Sequence, residues 1–165
     1  MSDPARTPRR ALLAAAAFAA FGSAHGVRAQ PSGADAAQIV AVLDRYVAAL
    51  RSNNAEALVA LYASDGVFMR ENLPAVAGTE ALRAAYRQVF ATLKVDLSFD
   101  IQEVEVAGDM AWLRGISKGR IKTLATGVEA NESFNQLIVL RRQAGAWKIR
   151  CYLYASNQPG AGTPQ

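Results

Sequence analysis

What this chain could do chemically rests on its five tyrosines, one conspicuous carboxylate and two arginines with telling neighbours. Tyr46 and Tyr62 each fall within an apolar series of helical spacing, so each helix is expected to turn a phenol inward beside its aliphatic side chains. Tyr86 falls in a third such series. Tyr152 and Tyr154 share one face of a strand-like run with Ser156, while Ile149, Cys151 and Leu153 share the other. Inward phenols can donate hydrogen bonds to a ligand oxygen. Glu71 could accept a proton; Arg70 beside it cannot, because a guanidinium stays protonated. Trp112, Arg114 and Ile116 alternate on one face of a second run, and an arginine beside a tryptophan suits a carboxylate or another anion. Asn135 is polar enough to line a pocket, and Met69 and Phe90 read equally as pocket wall or core. Lys118, Arg120 and Lys122 alternate as a solvated stripe.

The remaining inventory excludes several classes of chemistry. Residues 1–29 read as a secretory signal: Arg6, Arg9 and Arg10, then an unbroken apolar run from Ala11 to Phe21, then Val27-Arg28-Ala29 as a small-x-small cleavage site. Arg9-Arg10 suggests the twin-arginine route; Pro8 stands where that signal usually carries a hydroxyl, which leaves an ordinary secretory route as the alternative. Cleavage near Ala29 would leave no membrane anchor and place the protein in the periplasm or outside the cell. It would also remove His25, the only histidine, and with it imidazole catalysis and histidine-based metal sites. We therefore expect no metal and no cofactor. Cleavage lowers the net charge from +4 to +1, so the basic balance belongs mainly to the signal and makes no case for nucleic acid. Cys151 is the single cysteine, so no internal disulfide can form; it reads as a small buried hydrophobe.

The elements that must position these residues can be read in order. A linker over 30–34 precedes one domain over 35–157, and a disordered tail over 158–165 ends the chain. From Asp35, Ile39, Val42, Leu43, Tyr46, Val47 and Leu50 follow helical spacing. Asn53-Asn54 ends that helix and caps a second over Ala55–Ala63, carrying Leu58, Leu61 and Tyr62. Ser64-Asp65-Gly66 stops it, and Val67–Met69 is a short strand. Pro74 forbids regular structure in the next piece. Thr79 opens a third helix with Leu82, Tyr86, Val89, Phe90 and Leu93 inward. Four strands follow: Val95–Ala107, with a phase slip at Gln102-Glu103 that reads as a bulge, then Met110–Thr126, Ala130–Arg142 and, after a turn at Gln143-Ala144-Gly145, Trp147–Ser156. Short turns make them antiparallel neighbours. The fold class is α+β: three N-terminal helices on a curved antiparallel sheet of four main strands plus a short one, a cone open at one end.

Tyr-Val-Ala-Ala-Leu at 46–50, Ala-Leu-Tyr-Ala-Ser-Asp-Gly-Val at 60–67, the run from Gly78 to Tyr86, and Gly-Ala-Trp-Lys-Ile at 145–149 carry a resemblance. Over roughly residues 36–157 the chain resembles the nuclear transport factor 2-like superfamily, more closely its SnoaL-like and DUF4440 (SgcJ/EcaC) bacterial members, with ketosteroid isomerase as a more distant cousin. The resemblance implies the cone-shaped fold, a pocket inside it, and a homodimer through the convex sheet face. Function is less well implied, because one scaffold hosts isomerases, dehydratases, cyclases and binding modules. In ketosteroid isomerase an aspartate base works with an oxyanion hole of a tyrosine and a protonated aspartic acid. By the resemblance that tyrosine matches Tyr46, and supporting tyrosines match Tyr62 and Tyr86. The base position falls on Arg70, and the stretch Asn135–Val139, where the neutral acid belongs, holds no carboxyl. The resemblance also puts Trp112 and Arg114 on the concave face, and Tyr152 and Tyr154 at pocket positions.

Two functions fit. One is an exported small-molecule-binding protein whose ligand is mainly apolar with a carboxylate or carbonyl end, held by Tyr46, Tyr86, Arg114 and the last-strand tyrosines. The other is an isomerase or lyase acting next to a ligand carbonyl, with Tyr46 as oxyanion donor and Glu71 as proton acceptor.

Overall fold

The computed structural model describes residues 33–158. The expected signal and its cleavage site, residues 30–32 of the linker and the tail beyond residue 158 lie outside the described residues. Gly33 and Ala34, expected in the linker, form the start of α1 (Gly33–Arg51). This helix buries Ile39, Val42, Leu43, Tyr46, Ala49 and Leu50, a stripe three or four residues apart, and keeps Asp35 in its first turn and Arg51 in its last, as the helix dipole favours. Asn53 takes a left-handed φ of 52° to end it, and the Asn54 side chain accepts a hydrogen bond from the Ala57 amide at 2.9 Å to start α2.

Here the chain departs from the periodicity of its sequence. α2 (Ala55–Val59) is five residues long, and Tyr62 opens β1 (Tyr62–Met69) instead of closing a helix. The reason is a competing set of hydrogen bonds. The Leu61 carbonyl accepts from the Ile149 amide at 2.9 Å, and the Lys148 ammonium donates to the Ala60 carbonyl at 2.7 Å, so the last strand takes the acceptors a longer helix would have used. Gly66 sits where the register shifts; a Cβ there would lie 2.8 Å from the Ala63 carbonyl oxygen and from the Tyr62 ring.

β2 (Val76–Ala77) pairs with β1, and Gly78, at a φ of 83°, leads into α3 (Thr79–Thr92). α3 buries Leu82, Ala85 and Tyr86 and passes at Leu93 straight into β3 (Leu93–Ala107). β4 (Met110–Thr123), β5 (Glu129–Gln143) and β6 (Ala146–Ser156) complete one six-stranded sheet in the order β2-β1-β6-β5-β4-β3, with β1 and β6 parallel and the other pairs antiparallel. The architecture is α+β with a curved, unclosed sheet. It differs from expectation in having six strands, and in a third helix that follows two of them. The phase slip in β3 is a bulge between Ile101 and Glu103.

Sheet curvature has a local cause. Side chains on the concave face of β4 are Ala111, Leu113 and Ser117, with Gly115 and Gly119 among them. A Cβ on Gly115 would lie 2.4 Å from the Asp100 carbonyl oxygen, and one on Gly119 2.1 Å from that of Asp96. Only glycine lets β3 fold this closely over β4. Beyond the bend, α1 packs on β3 and β6, and α3 on β1 and β3. Asp35 ties the start of α1 to the sheet, its Oδ1 accepting from Arg142 Nη2 at 2.5 Å and from the Trp147 indole N–H at 3.3 Å.

Candidate functional site

Helices and sheet line a partly open cavity of about 90 Å³. α1 contributes Tyr46 and Leu50, and α3 contributes Tyr86 and Val89. Phe68 enters from β1, and Leu93, Val95 and Leu97 from β3. Ile121 of β4, Phe134 and Gln136 of β5, and Tyr152 and Tyr154 of β6 close the far side. The wall is therefore aromatic and aliphatic with a few fixed polar atoms, the usual make-up of a small-molecule site.

Those polar atoms form two groups. In the first, the Tyr86 hydroxyl is shared by Tyr62 at 2.6 Å and Tyr46 at 2.9 Å. Two bonds among three hydroxyls use two of three protons. The third is best placed on Tyr46, whose hydroxyl also interacts with the Tyr152 phenol, since a spare proton on buried Tyr62 would find no acceptor. Burial holds the phenols of Tyr46, Tyr62, Tyr86 and Tyr152 above the ordinary tyrosine range, with neighbouring phenols adding to the effect. They are neutral donors at any ordinary pH. Rings hold the geometry: Tyr152 meets Tyr46 edge-on at 5.1 Å, and Phe68 stacks on Tyr86 at 5.0 Å.

The second group is Gln136 and Ser117. Gln136, 3% exposed, donates through Nε2 to the Ser117 Oγ at 2.5 Å. Its Oε1 is buried and forms no hydrogen bond, although the Tyr152 phenol lies close enough to the amide to feel it. A buried carbonyl oxygen left without a donor is costly unless something completes it. The cavity thus offers a phenol donor and an amide acceptor.

The structure sorts the residues singled out from sequence. Tyr46, Tyr86, Tyr152 and Tyr154 line the cavity, and Tyr62 lies behind them, bonded to Tyr86. Phe90 stacks on Tyr86 at 6.3 Å without lining the cavity. Met69 points to the outer sheet face, where its Sδ takes the Cys151 thiol at 3.5 Å; its neighbour Phe68 is the one that faces in.

Trp112, Arg114 and Asn135 are corrections. They stand on the convex face, because the concave positions of β4 and β5 are the alternate ones, Ala111, Leu113 and Ser117, then Phe134, Gln136 and Ile138. Arg114 pairs outside with Glu103 at 3.3 Å and with the Gln102 Oε1 at 2.5 Å. Asn135 Oδ1 accepts from Asn157 at 3.4 Å. Glu71 is exposed and outside the lining, its carboxylate taking the Ser156 amide at 2.8 Å. On β6, Ile149 and Tyr152 both face inward although three residues apart, since a bulge separates them. Gln136 is the functional residue that sequence reasoning passed over; its place in the alternation Phe134, Gln136, Ile138, Leu140 was the available sign.

Comparison with known proteins places this geometry. The model of the SnoaL-like domain matches residues 43–148. A ketosteroid isomerase-like protein from Erwinia carotovora atroseptica SCRI1043 is similar at 31% identity, over 78% of this chain and 100% of its own, with a TM-score of 0.73. An NTF2-like protein of unknown function from Pseudomonas putida KT2440 shares the fold at 18% identity, over 79% of this chain and 92% of its own, with a TM-score of 0.63. A protein with a cystatin-like fold from Caulobacter vibrioides does so at 16% identity, over 78% and 94%, with a TM-score of 0.64. No curated protein matches.

Proposed function

The chain belongs to the SnoaL-like domain family, and from the cavity it encloses we propose that it is an exported binding protein for a small, largely apolar or aromatic molecule. The observation that carries this reading is the unpartnered Gln136 Oε1 in a wall to which Tyr46 also belongs. A ligand hydroxyl satisfies both, its oxygen accepting from Tyr46 and its proton reaching Gln136; a ligand carbonyl accepts from Tyr46 and leaves Gln136 to a bridging water. The aromatic ring faces supply the remaining contact. Calorimetric titration with small phenols, aromatic ketones and aromatic acids tests the reading. Binding that weakens about tenfold in both Tyr46→Phe and Gln136→Leu supports it, a hydrogen bond's worth for each. No binding across the panel sinks it.

The same donor favours a second reading, an isomerase or lyase that polarises a ligand carbonyl with Tyr46 and moves a proton with Glu71, in keeping with the ketosteroid isomerase-like relative. Proton transfer needs a base within reach of the substrate. Glu71 is exposed and engaged by the Ser156 amide, and Arg70 never deprotonates in this range, so binding is the stronger reading. Loss of deuterium from the α-carbon of a bound ketone, abolished in Glu71→Gln, would reverse that preference.

Two further parts of the proposal rest on the surface and the leader. The convex face carries exposed Leu137 and Met110, at 41% and 42%, beside Trp112, Val139 and Leu153, which suits a homodimer through that face. Sedimentation of Leu137→Glu as a monomer, against a dimeric parent, tests it. Export after cleavage near Ala29 is tested by cell fractionation and the N-terminal residue of the mature chain.

A further inference from the structure

Arg70 is the first residue after β1, two positions beyond Phe68, so strand alternation turns it to the side on which Phe68 meets the cavity. Its guanidinium carbon lies 5.8 Å from the centre of the Phe68 ring, and its Nε is buried with no hydrogen-bond partner. No other arginine among the described residues is left this way: each of the rest meets a carboxylate, or in the case of Arg45 a carbonyl of its own helix. Glu71, next in the chain, does not fill the gap, because its carboxylate is held by the Ser156 amide and forms no ion pair with Arg70. Tyr154 connects Arg70 to the cavity. It lines the cavity wall, and its phenol, raised by burial, is drawn down by the charge of Arg70 and pushed up by that of Glu71.

We infer that Arg70, which stands beside the lining residues Phe68 and Tyr154, is the anion-recognising residue of this cavity, and that the ligand is a small organic carboxylate with an aromatic or apolar body. A guanidinium presents parallel N–H donors in a plane that a carboxylate matches with two oxygens. A buried cationic donor without a partner is costly, and a carboxylate at the cavity mouth completes it. With the acid end at Arg70, the body lies among Phe68, Phe134 and Tyr154, and the inner end points toward Tyr46 and Gln136. This role falls to Arg70, not to Arg114, whose head is engaged by Glu103 on the outer face. The inference rests on the proposal that the cavity binds a small molecule.

The test compares aromatic carboxylic acids with their primary amides, matched in shape and differing in charge, by calorimetry near neutral pH. The parent should bind the acids about tenfold or more tightly than the amides, the scale of one charge-assisted contact. Arg70→Gln should bind acid and amide alike, Arg70→Lys should keep part of the preference, and Arg114→Gln should keep all of it. Aryl sulfonates, which carry the charge without the planar fork, should bind more weakly than the carboxylates. Binding of acid and amide with equal affinity by the parent overturns the role of Arg70 while leaving the cavity reading intact, as does an acid preference that survives in Arg70→Gln. If neither acid nor amide binds the parent, both fail. Should Arg70→Gln fail to fold, Arg70→Lys gives the reading, since an acid preference undiminished there while Arg114→Gln also keeps it overturns the role of the Arg70 fork.

Discussion

Raising the pH above the range where phenols ionise should unfold this protein in one cooperative step, with its tyrosinate absorbance appearing only as the fold is lost. Tyr46, Tyr62, Tyr86 and Tyr152 are four of the five tyrosines, and burial raises the phenol of each above its ordinary value. In the unfolded chain the same phenols ionise near pH 10. Above that pH the folded state keeps protons that the unfolded state releases, so stability is fully present below about pH 10 and falls as pH rises. By about pH 11 each phenol has cost roughly 1.4 kcal/mol and the four together about 6 kcal/mol, against a typical domain stability of about 5–15 kcal/mol. Far-ultraviolet circular dichroism and phenolate absorbance, followed together in denaturant at successive pH values, give the measurement. The two signals should change together, the denaturation midpoint should drop steeply above pH 10, and Tyr62→Phe should lessen the slope by about a quarter. Phenolate absorbance that rises smoothly to the full complement while the circular dichroism stays native would refute the reasoning, since it would mean the phenols are open to water in the folded state.

Replacing the shared hydroxyl in Tyr86→Phe removes both bonds of the phenol chain and strands Tyr46 and Tyr62; a loss of about 2–4 kcal/mol is expected by urea denaturation, and less than additive loss when combined with Tyr62→Phe. Gly115→Ala places a methyl group 2.4 Å from a backbone carbonyl oxygen that no rotamer change can move, so it should cost about 3 kcal/mol or more, read as a lower thermal midpoint. Asp35→Asn weakens the contact of α1 with Arg142 and Trp147; the ion-paired side chains of Asp35 and Arg142 are 24% and 26% exposed, and about 1 kcal/mol should be lost, less at high salt.

Much of this fold was legible because its signals are local. Helix spacing gave α1 and α3, Asn53-Asn54 marked the break between helices, and the phase slip at Gln102-Glu103 marked the bulge in β3. Tyr62 was misplaced on a helix because the bonds that straighten the chain come from Ile149 and Lys148, far along the sequence. Arg114 and Trp112 were drawn inward for a different reason. Strand alternation puts Trp112 and Arg114 on one face and Ala111, Leu113, Gly115 and Ser117 on the other without saying which is concave, and the resemblance that assigned the first set inward points to the wrong face. Here the inner face is the one with small residues, because the sheet bends toward it. The bulge between Ile149 and Tyr152 had the same effect on β6, carrying Ile149 from the expected outer set to the core.

That bend also explains why the cavity exists where it does. Val95 and Leu97 on β3 and Ile121 on β4 form one wall, while Phe134 and Gln136 on β5 and Tyr152 on β6 form another. In a flat sheet these residues would share a single surface and α1 would cover them all alike. Close approach of β3 and β4 at Gly115 and Gly119 turns the far end of the sheet back, so that residues of one face come to oppose one another. α1 then adds Tyr46 to the lining, and β1 adds Phe68, with Arg70 two residues further on. Curvature and site thus have one origin. It follows that the polar ends of the cavity are set independently: Tyr46 by helix packing, Gln136 by its bond to Ser117, and Arg70 by the last step of β1. A change of ligand on this scaffold would need only the third of these to change, because the first two are held by buried hydrogen bonds and Arg70 is not.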